Sequence, residues 1–209
     1  MKDTDFVDGN FEDKYNAKNP ISKMLVGGFL KNFMDLVHLM PSRKRIIEVG
    51  AGDGQLTKKL ADTFPDAQII ACDLSDKQNE MARKTLASYG KRITVQKEDA
   101  ENLTLPNASV DAVYCCEVME HVEKPKQAMA ELYRILQKDG YALVSVPWEP
   151  LWRVLNLARG KYIGQLGNTP GHLNHFSRTA IKKLATDAGF TVVKEHHPFP
   201  WSMILLQKK

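Results

Sequence analysis

The chain has 209 residues, of which 43% are hydrophobic and 26% charged, and a formal net charge of +4. That length suits one large domain, and that balance excludes a wholly disordered or fibrous chain. No apolar run approaches the roughly 18–20 residues that span a bilayer, so no transmembrane segment is expected. The acidic start Met1-Lys2-Asp3-Thr4-Asp5 is unlike a secretory signal. Cys72, Cys115 and Cys116 lack C-x-x-C spacing and sit in apolar runs, so reduced thiols in a cytoplasmic protein are expected. Charge is uneven: residues 1–13 hold five acids against one lysine, and residues 149–209 hold nine Lys/Arg against three acids. A basic C-terminal third suits an anionic substrate or peripheral membrane contact; ordinary solvated helix faces give the same count.

In chain order, residues 1–43 read as an N-terminal helical cap, with an amphipathic helix over 20–40. A core over 44–147 alternates β-branched runs with helix-period runs. The strands are Arg45–Val49, Ala67–Cys72, Ile93–Lys97, Val110–Cys115 and Tyr141–Val146, apolar or short, as strands buried on both faces are. Helices fall between them at Gln55–Phe64, Asp76–Tyr89 and Pro125–Leu136. Ser75 marks one start, Pro125 another, and Gly140 a stop. Residues 148–176, rich in Trp, Leu, Gly and Arg, form an insertion after the fifth strand. Residues 177–209 add a helix at Arg178–Ala188, stopped by Gly189, and strands Thr191–Glu195 and Ser202–Gln207, joined through Pro198 and Pro200. The expectation is a single α/β domain with a seven-stranded, mostly parallel sheet, its last strand antiparallel and helices on both faces.

The segment Ile46-Ile47-Glu48-Val49-Gly50-Ala51-Gly52-Asp53-Gly54-Gln55-Leu56 is an apolar strand ending in a Gly-x-Gly-x-Gly turn that opens a helix. Glycines serve where φ is positive or where a ligand must meet bare backbone. A nucleotide, a dinucleotide or tight packing alone would each fit such a turn. Asp73 ends the second strand, where a carboxylate can accept both hydroxyls of a ribose. Asp99-Ala100 ends the third, where an acid can take an adenine amino group. The spacing differs from Gly-x-Gly-x-x-Gly because the third glycine comes one residue early, which disfavours an NAD-dependent oxidoreductase.

On these motifs the sequence resembles the class I S-adenosylmethionine-dependent methyltransferases, in the small-molecule branch that includes quinone-biosynthesis enzymes. Glu48–Gly54 matches the family's first motif, Asp73 its ribose acid and Asp99-Ala100 its adenine contact. Val110–Val122 matches its fourth strand and following loop, and Leu136–Tyr141 its turn into the fifth strand. The resemblance implies a Rossmann-like fold and S-adenosylmethionine as cofactor. It places Gly50, Ala51, Gly52 and Gly54 along the methionine part, Glu48 ordering the loop or reaching the amino group through water, Asp73 on the ribose and Leu74 on the adenine. It places Asp99 and Ala100 on the adenine edge, and Cys116 and Glu117 beneath the sulfonium.

Methyl transfer is an in-line displacement in which the protein aligns the acceptor and excludes water, with a base where the acceptor must lose a proton. His121 and His175 are the candidate bases. Glu117-x-x-Glu120-His121 with a distal His175 is a donor set that metal-dependent branches of the family carry and metal-free relatives keep as scaffold; no metal is expected. The insertion reads as a lid over a small-molecule or lipid-linked acceptor, contacted by Trp148, Trp152 and His172, or as a helix packed on the sheet. Tyr15 either caps the site or lies at the surface. The loop Cys115-Cys116-Glu117-Val118 lacks the Asn-Pro-Pro-Tyr type of base clamp, so a nucleic-acid acceptor is disfavoured. A non-catalytic S-adenosylmethionine-binding module remains compatible with the same motifs.

Overall fold

A computed structural model describes residues 20–41, 43–149, 151–158 and 160–209. Seven strands form one sheet: β1 (Arg45–Val49), β2 (Gln68–Asp73), β3 (Ile93–Lys97), β4 (Val110–Cys116), β5 (Leu136–Pro147), β6 (Thr191–His196) and β7 (Trp201–Gln207). Their order is β3-β2-β1-β4-β5-β7-β6. β7 runs antiparallel to both neighbours, and the other pairs are parallel. This is the expected mostly parallel sheet with the last strand reversed.

Alternation along the strands feeds two faces. Ile47, Val49, Val113, Cys115, Val144 and Ile204 share a buried cluster with α4 (Pro125–Ile135) and α6 (Arg178–Asp187), through Met129, Leu132, Ile181 and Ala185. Ile46, Ala112, Tyr114, Leu143 and Leu205 point the other way, against α1 (Pro20–Val37) and α2 (Gln55–Thr63). Phe29 and Phe33 of α1 are fully buried there, and each such side chain contributes roughly 1.5–3 kcal/mol by leaving water. α3 (Asp76–Thr85) packs Ala82 on Ala51 and Ala71. The Ser75 hydroxyl caps α3 by accepting the amide of Gln78, and Ser177 caps α6 in the same way through Ala180.

Some boundaries differ from the sequence reading. The helix expected over 76–89 stops at Thr85 and tightens into a 3-10 turn, Ala87–Arg92, broken at Gly90. The third core helix stops at Ile135, because Leu136 pairs with Val110 and begins β5. Gly140 therefore lies inside β5 instead of ending a helix, and the left-handed residue there is Asp139. A short helix, α5 (Leu151–Ala158), occupies the insertion. Among the described residues no helix is long and apolar enough to cross a membrane.

In register, Val49 lies beside Cys72 and Cys115, and Cys116 beside Ser145. The carboxyl ends of β1, β2, β4 and β5 thus share one edge. Strand order reverses between β1 and β4, and open α/β sheets take ligands in the crevice at such a point.

Candidate functional site

At that crevice β1 ends in a turn where Gly50, Gly52 and Gly54 all have positive φ (74°, 55° and 87°). The amides of Gly50 and Ala51 donate to the Cys72 carbonyl at 2.8 and 2.9 Å, tying the turn to β2. A methyl group on Gly50 would sit 2.2 Å from Val118, so packing demands glycine there. Gly52 differs: nothing lies nearer its missing Cβ than Gln78 Oε1 at 4.0 Å. Its bareness keeps open the space beside Asp73.

Asp73 is the hinge of this edge. Its Oδ2 accepts the Gly52 amide at 3.0 Å and its Oδ1 the Ser75 amide at 2.9 Å. Burial pushes its carboxyl above the ordinary range, and these amides oppose the rise. Each oxygen keeps a second lone pair for a ligand hydroxyl. Gln78 Oε1 is buried with no hydrogen-bond partner, and it borders the same space. A diol between Asp73 and Gln78 would satisfy both groups, so the residues present fit the ribose of the cofactor. The sequence reading missed Gln78, which was legible only as the third residue after a helix cap.

Glu48 is 2% exposed inside β1 and accepts a hydrogen bond from the Thr57 hydroxyl. Burial pushes its carboxyl up to about 8, and the nearby Asp53 and Asp73 add to the rise. Leu74 stands exposed just beyond Asp73. Ala100 is buried, and Asp99 Oδ1 accepts the Glu101 amide at 2.8 Å. The neighbouring Glu98, also buried, holds this loop by accepting from Thr104 and Gln96.

Past β4, Cys116 is buried, and Glu117 adopts positive φ (59°). Its carboxylate accepts Trp201 Nε1–H at 2.7 Å and the Ser145 hydroxyl at 3.1 Å. Glu117 is thereby turned toward β5 and β7. His121 lies over the crevice: its Nδ1 meets the Gly171 carbonyl at 2.9 Å, and its ring stands edge-on to His172 at 5.0 Å. Burial lowers its pKa below the ordinary imidazole value, which favours the neutral ring.

The insertion is laced to this loop. The amides of Leu173 and Asn174 donate to the Glu120 carbonyl, and the Asn174 side chain to the carbonyls of Met119 and Val122. His172 and His175 both face Glu149 Oε1, at 3.9 and 3.8 Å. Trp152 donates its indole N–H to Thr169 and packs on Trp201, and Arg178 lies 4.0 Å over the Trp148 ring. Tyr15 lies outside the described residues.

The grouping of donors differs from the spacing-based one. Glu120, His121 and His172 each offer a ligand atom within 4.8 Å of the others. The Glu117 carboxylate bonds to Trp201 and Ser145, and His175 stands nearer Glu149. The sequence reading placed His172 at the acceptor and not in this grouping, because only folding of the insertion brings residue 172 onto residue 121.

A family model described as a methyltransferase domain matches residues 47–144. The chain is 28% identical over 163 residues to a malonyl-acyl-carrier protein O-methyltransferase of Geobacter sulfurreducens, covering 74% of this chain and 61% of that enzyme. It is 26% identical over 205 residues to a ubiquinone/menaquinone biosynthesis C-methyltransferase of Ectopseudomonas mendocina, covering 88% of this chain and 79% of the relative. A SAM-dependent methyltransferase of Aquifex aeolicus shares the fold, with a TM-score of 0.70 at 14% identity over 95% of this chain and 98% of that one. In strand order, glycine turn and domain match the chain is similar to the class I S-adenosylmethionine-dependent methyltransferases, whose fold it shares.

Proposed function

We propose that this chain transfers a methyl group from S-adenosylmethionine to an apolar small-molecule or lipid-linked acceptor. The observation that carries the reading is the open space at Gly52, bounded by the Asp73 carboxylate and the unpartnered Gln78 carbonyl oxygen. The bound cofactor supplies an activated methyl group on sulfur. Asp73 and Gln78 then hold the ribose, Leu74 covers the adenine with Asp99 and Ala100 at its edge, and Gly50, Ala51, Gly52 and Gly54 admit the methionine part. Glu48 faces the amino group, and Cys116 with Glu117 floors the site.

Residues 148–176 act as the lid over the acceptor. Support comes from their chemistry: Val154, Leu157, Ile163, Leu166 and Leu173 are exposed large apolar side chains on one stretch of chain. No acid occurs between residues 150 and 186, whereas Arg153, Arg159, Lys161, Arg178, Lys182 and Lys183 fall there. Exposed apolar bulk on a stretch of sequence with basic residues and no acid fits peripheral contact with an anionic membrane from the cytoplasmic side, from which a lipid-linked acceptor is drawn. His175, half-exposed beside Glu149, is the group suited to take a proton from such an acceptor. Trp148 and Trp152 shape the lid, and His172 closes it against His121.

The test is incubation of the protein and cofactor with a lipid extract, followed by mass spectrometry of the organic phase. One or more apolar species gaining a single methyl group, together with S-adenosylhomocysteine, supports the reading. Cofactor binding without any turnover on lipid or aqueous metabolites would instead mark a non-catalytic binding module.

A further inference from the structure

We propose that Glu149 and His175 form a carboxylate–imidazole pair that takes the proton of a hydroxyl acceptor, phenolic or enolic, so that the methyl group goes to oxygen. The hydroxyl assignment rests on the methyl transfer proposed above; the pairing of the two side chains does not. Glu149 stands two residues past the end of β5, and its amide donates to the Phe176 carbonyl at 3.0 Å, which ties the strand end to the segment holding both lid histidines. Glu149 is 5% exposed, and neither of its carboxylate oxygens has a hydrogen-bond partner among the described residues. Its Oε1 faces Nδ1 of His175 at 3.8 Å and Nδ1 of His172 at 3.9 Å. A desolvated carboxylate is expensive unless something donates to it, and these imidazoles are the donors at hand. A shift of about 1 Å brings Nδ1–H of His175 into hydrogen-bond range, and catalytic hydrogen bonds commonly tighten in this way when a substrate binds.

The two histidines differ in reach. The His172 side chain is 7% exposed, with its ring edge-on to His121 at 5.0 Å, whereas that of His175 is 35% exposed. His172 therefore closes the inner side of the carboxylate, and His175 presents the pair to the acceptor. A carboxylate that accepts Nδ1–H fixes the tautomer and leaves Nε2 with its lone pair, which is the form a general base needs. Glu149 is thus a positioning residue, and it steadies the imidazolium that forms when His175 takes a proton.

Such a pair serves only an acceptor that must lose a proton; a thioether or a tertiary amine needs no base. No acid occurs between residues 150 and 186, where Arg153, Lys161 and Arg178 fall. Basic residues without acids along the insertion suit a group that gains negative charge, and they disfavour an ammonium. In the step, the O–H proton passes to Nε2 of His175, the oxygen lone pair forms the bond to the methyl carbon, and the C–S bond breaks with its electron pair left on sulfur. S-adenosylhomocysteine and a methyl ether leave, and His175 gives its proton to water.

The test uses the full chain with ¹⁵N-labelled histidine, and S-adenosylmethionine carrying a ¹³C-methyl group with a lipid extract as the probe. Long-range ¹H–¹⁵N correlations of the chain alone read the tautomers, with His175→Gln assigning the signal. The expected result is the Nδ1–H tautomer at His175, lost in Glu149→Leu, a substitution that leaves no charge in the buried position. Turnover of the extract falls about 10²- to 10⁴-fold in His175→Gln and in Glu149→Leu, and no further when they are combined, while S-adenosylmethionine affinity stays within about threefold. The methyl carbon of the products resonates as an O-methyl group. An Nε2–H tautomer at His175, or Glu149→Leu turning over as the unaltered chain does, overturns the pair. Methyl groups on carbon or nitrogen overturn the hydroxyl assignment alone. No methylated product at all overturns the methyl-transfer reading and the hydroxyl assignment with it, while the tautomer still decides the pair.

Discussion

Replacing Gly50 with alanine adds one methyl group at the tightest point of the cofactor loop. Two separate costs follow. The backbone there has φ +74°, and an L side chain in the left-handed region costs about 1–2 kcal/mol. The new Cβ would also lie 2.2 Å from Val118 Cγ2, well inside contact distance, and overpacking of this kind costs about 1–3 kcal/mol. Together they remove about 2–5 kcal/mol, a large share of a typical domain stability of about 5–15 kcal/mol. Val118→Ala alone should cost about 1–2 kcal/mol, since the side chain is half-buried against the core. In the double variant Gly50→Ala/Val118→Ala the collision is gone and only the backbone cost remains. The double variant should therefore lie about 1–2 kcal/mol below Val118→Ala, with a favourable coupling of about 1–3 kcal/mol between the two sites. Urea denaturation of the four proteins at a common m-value measures this cycle. Additivity within about 0.5 kcal/mol would refute the claim that Val118 enforces glycine at position 50.

Three further outcomes are expected. Asp73→Ala should weaken S-adenosylmethionine about 10- to 150-fold, from losing charge-assisted hydrogen bonds of about 1.5–3 kcal/mol, as calorimetry will show. Glu48 holds its proton to about pH 8 in the fold against 4.5 in the unfolded chain, so its contribution to stability is fully present below pH 4.5 and is lost as pH rises toward 8. The loss is about 5 kcal/mol; Glu48→Gln should flatten the decline of the urea midpoint across that window, and parallel profiles would count against the assignment. Trp152→Ala should raise the acceptor KM or lower kcat while cofactor affinity stays within about threefold, because Trp152 packs on Trp201 and Thr169 away from β1–β3. A loss of cofactor affinity as large as the loss of turnover would make the insertion scaffold.

The strands of the sheet were legible because burial on both faces leaves short apolar runs whose alternate residues, such as Ile46 and Ile47, feed two cores. The glycine turn and the acid beside it were legible because Gly50–Gly54 and Asp73 are fixed by backbone geometry within single βα units. What was hidden is tertiary. The break at Gly90 and the pairing of Leu136 with Val110 end helices whose periodicity runs on. Glu117 looked like a member of a local acid–histidine motif, yet its carboxylate is taken by Trp201, 84 positions away. Glu149, next to a tryptophan in an apolar stretch, gave no sign that folding would bury it between His172 and His175. Spacing reports what one element can gather, and this cluster is assembled by two loops.

The central claim is that the crevice at Gly52 and Asp73 is built for S-adenosylmethionine. Calorimetric titration of the full chain with S-adenosylmethionine, S-adenosylhomocysteine and NAD in parallel tests it most directly. The expected result is saturable one-site binding of both sulfur nucleosides, weakened in Asp73→Ala, and no comparable binding of NAD. NAD binding more tightly than S-adenosylmethionine, or S-adenosylmethionine binding unaffected by Asp73→Ala, would contradict it.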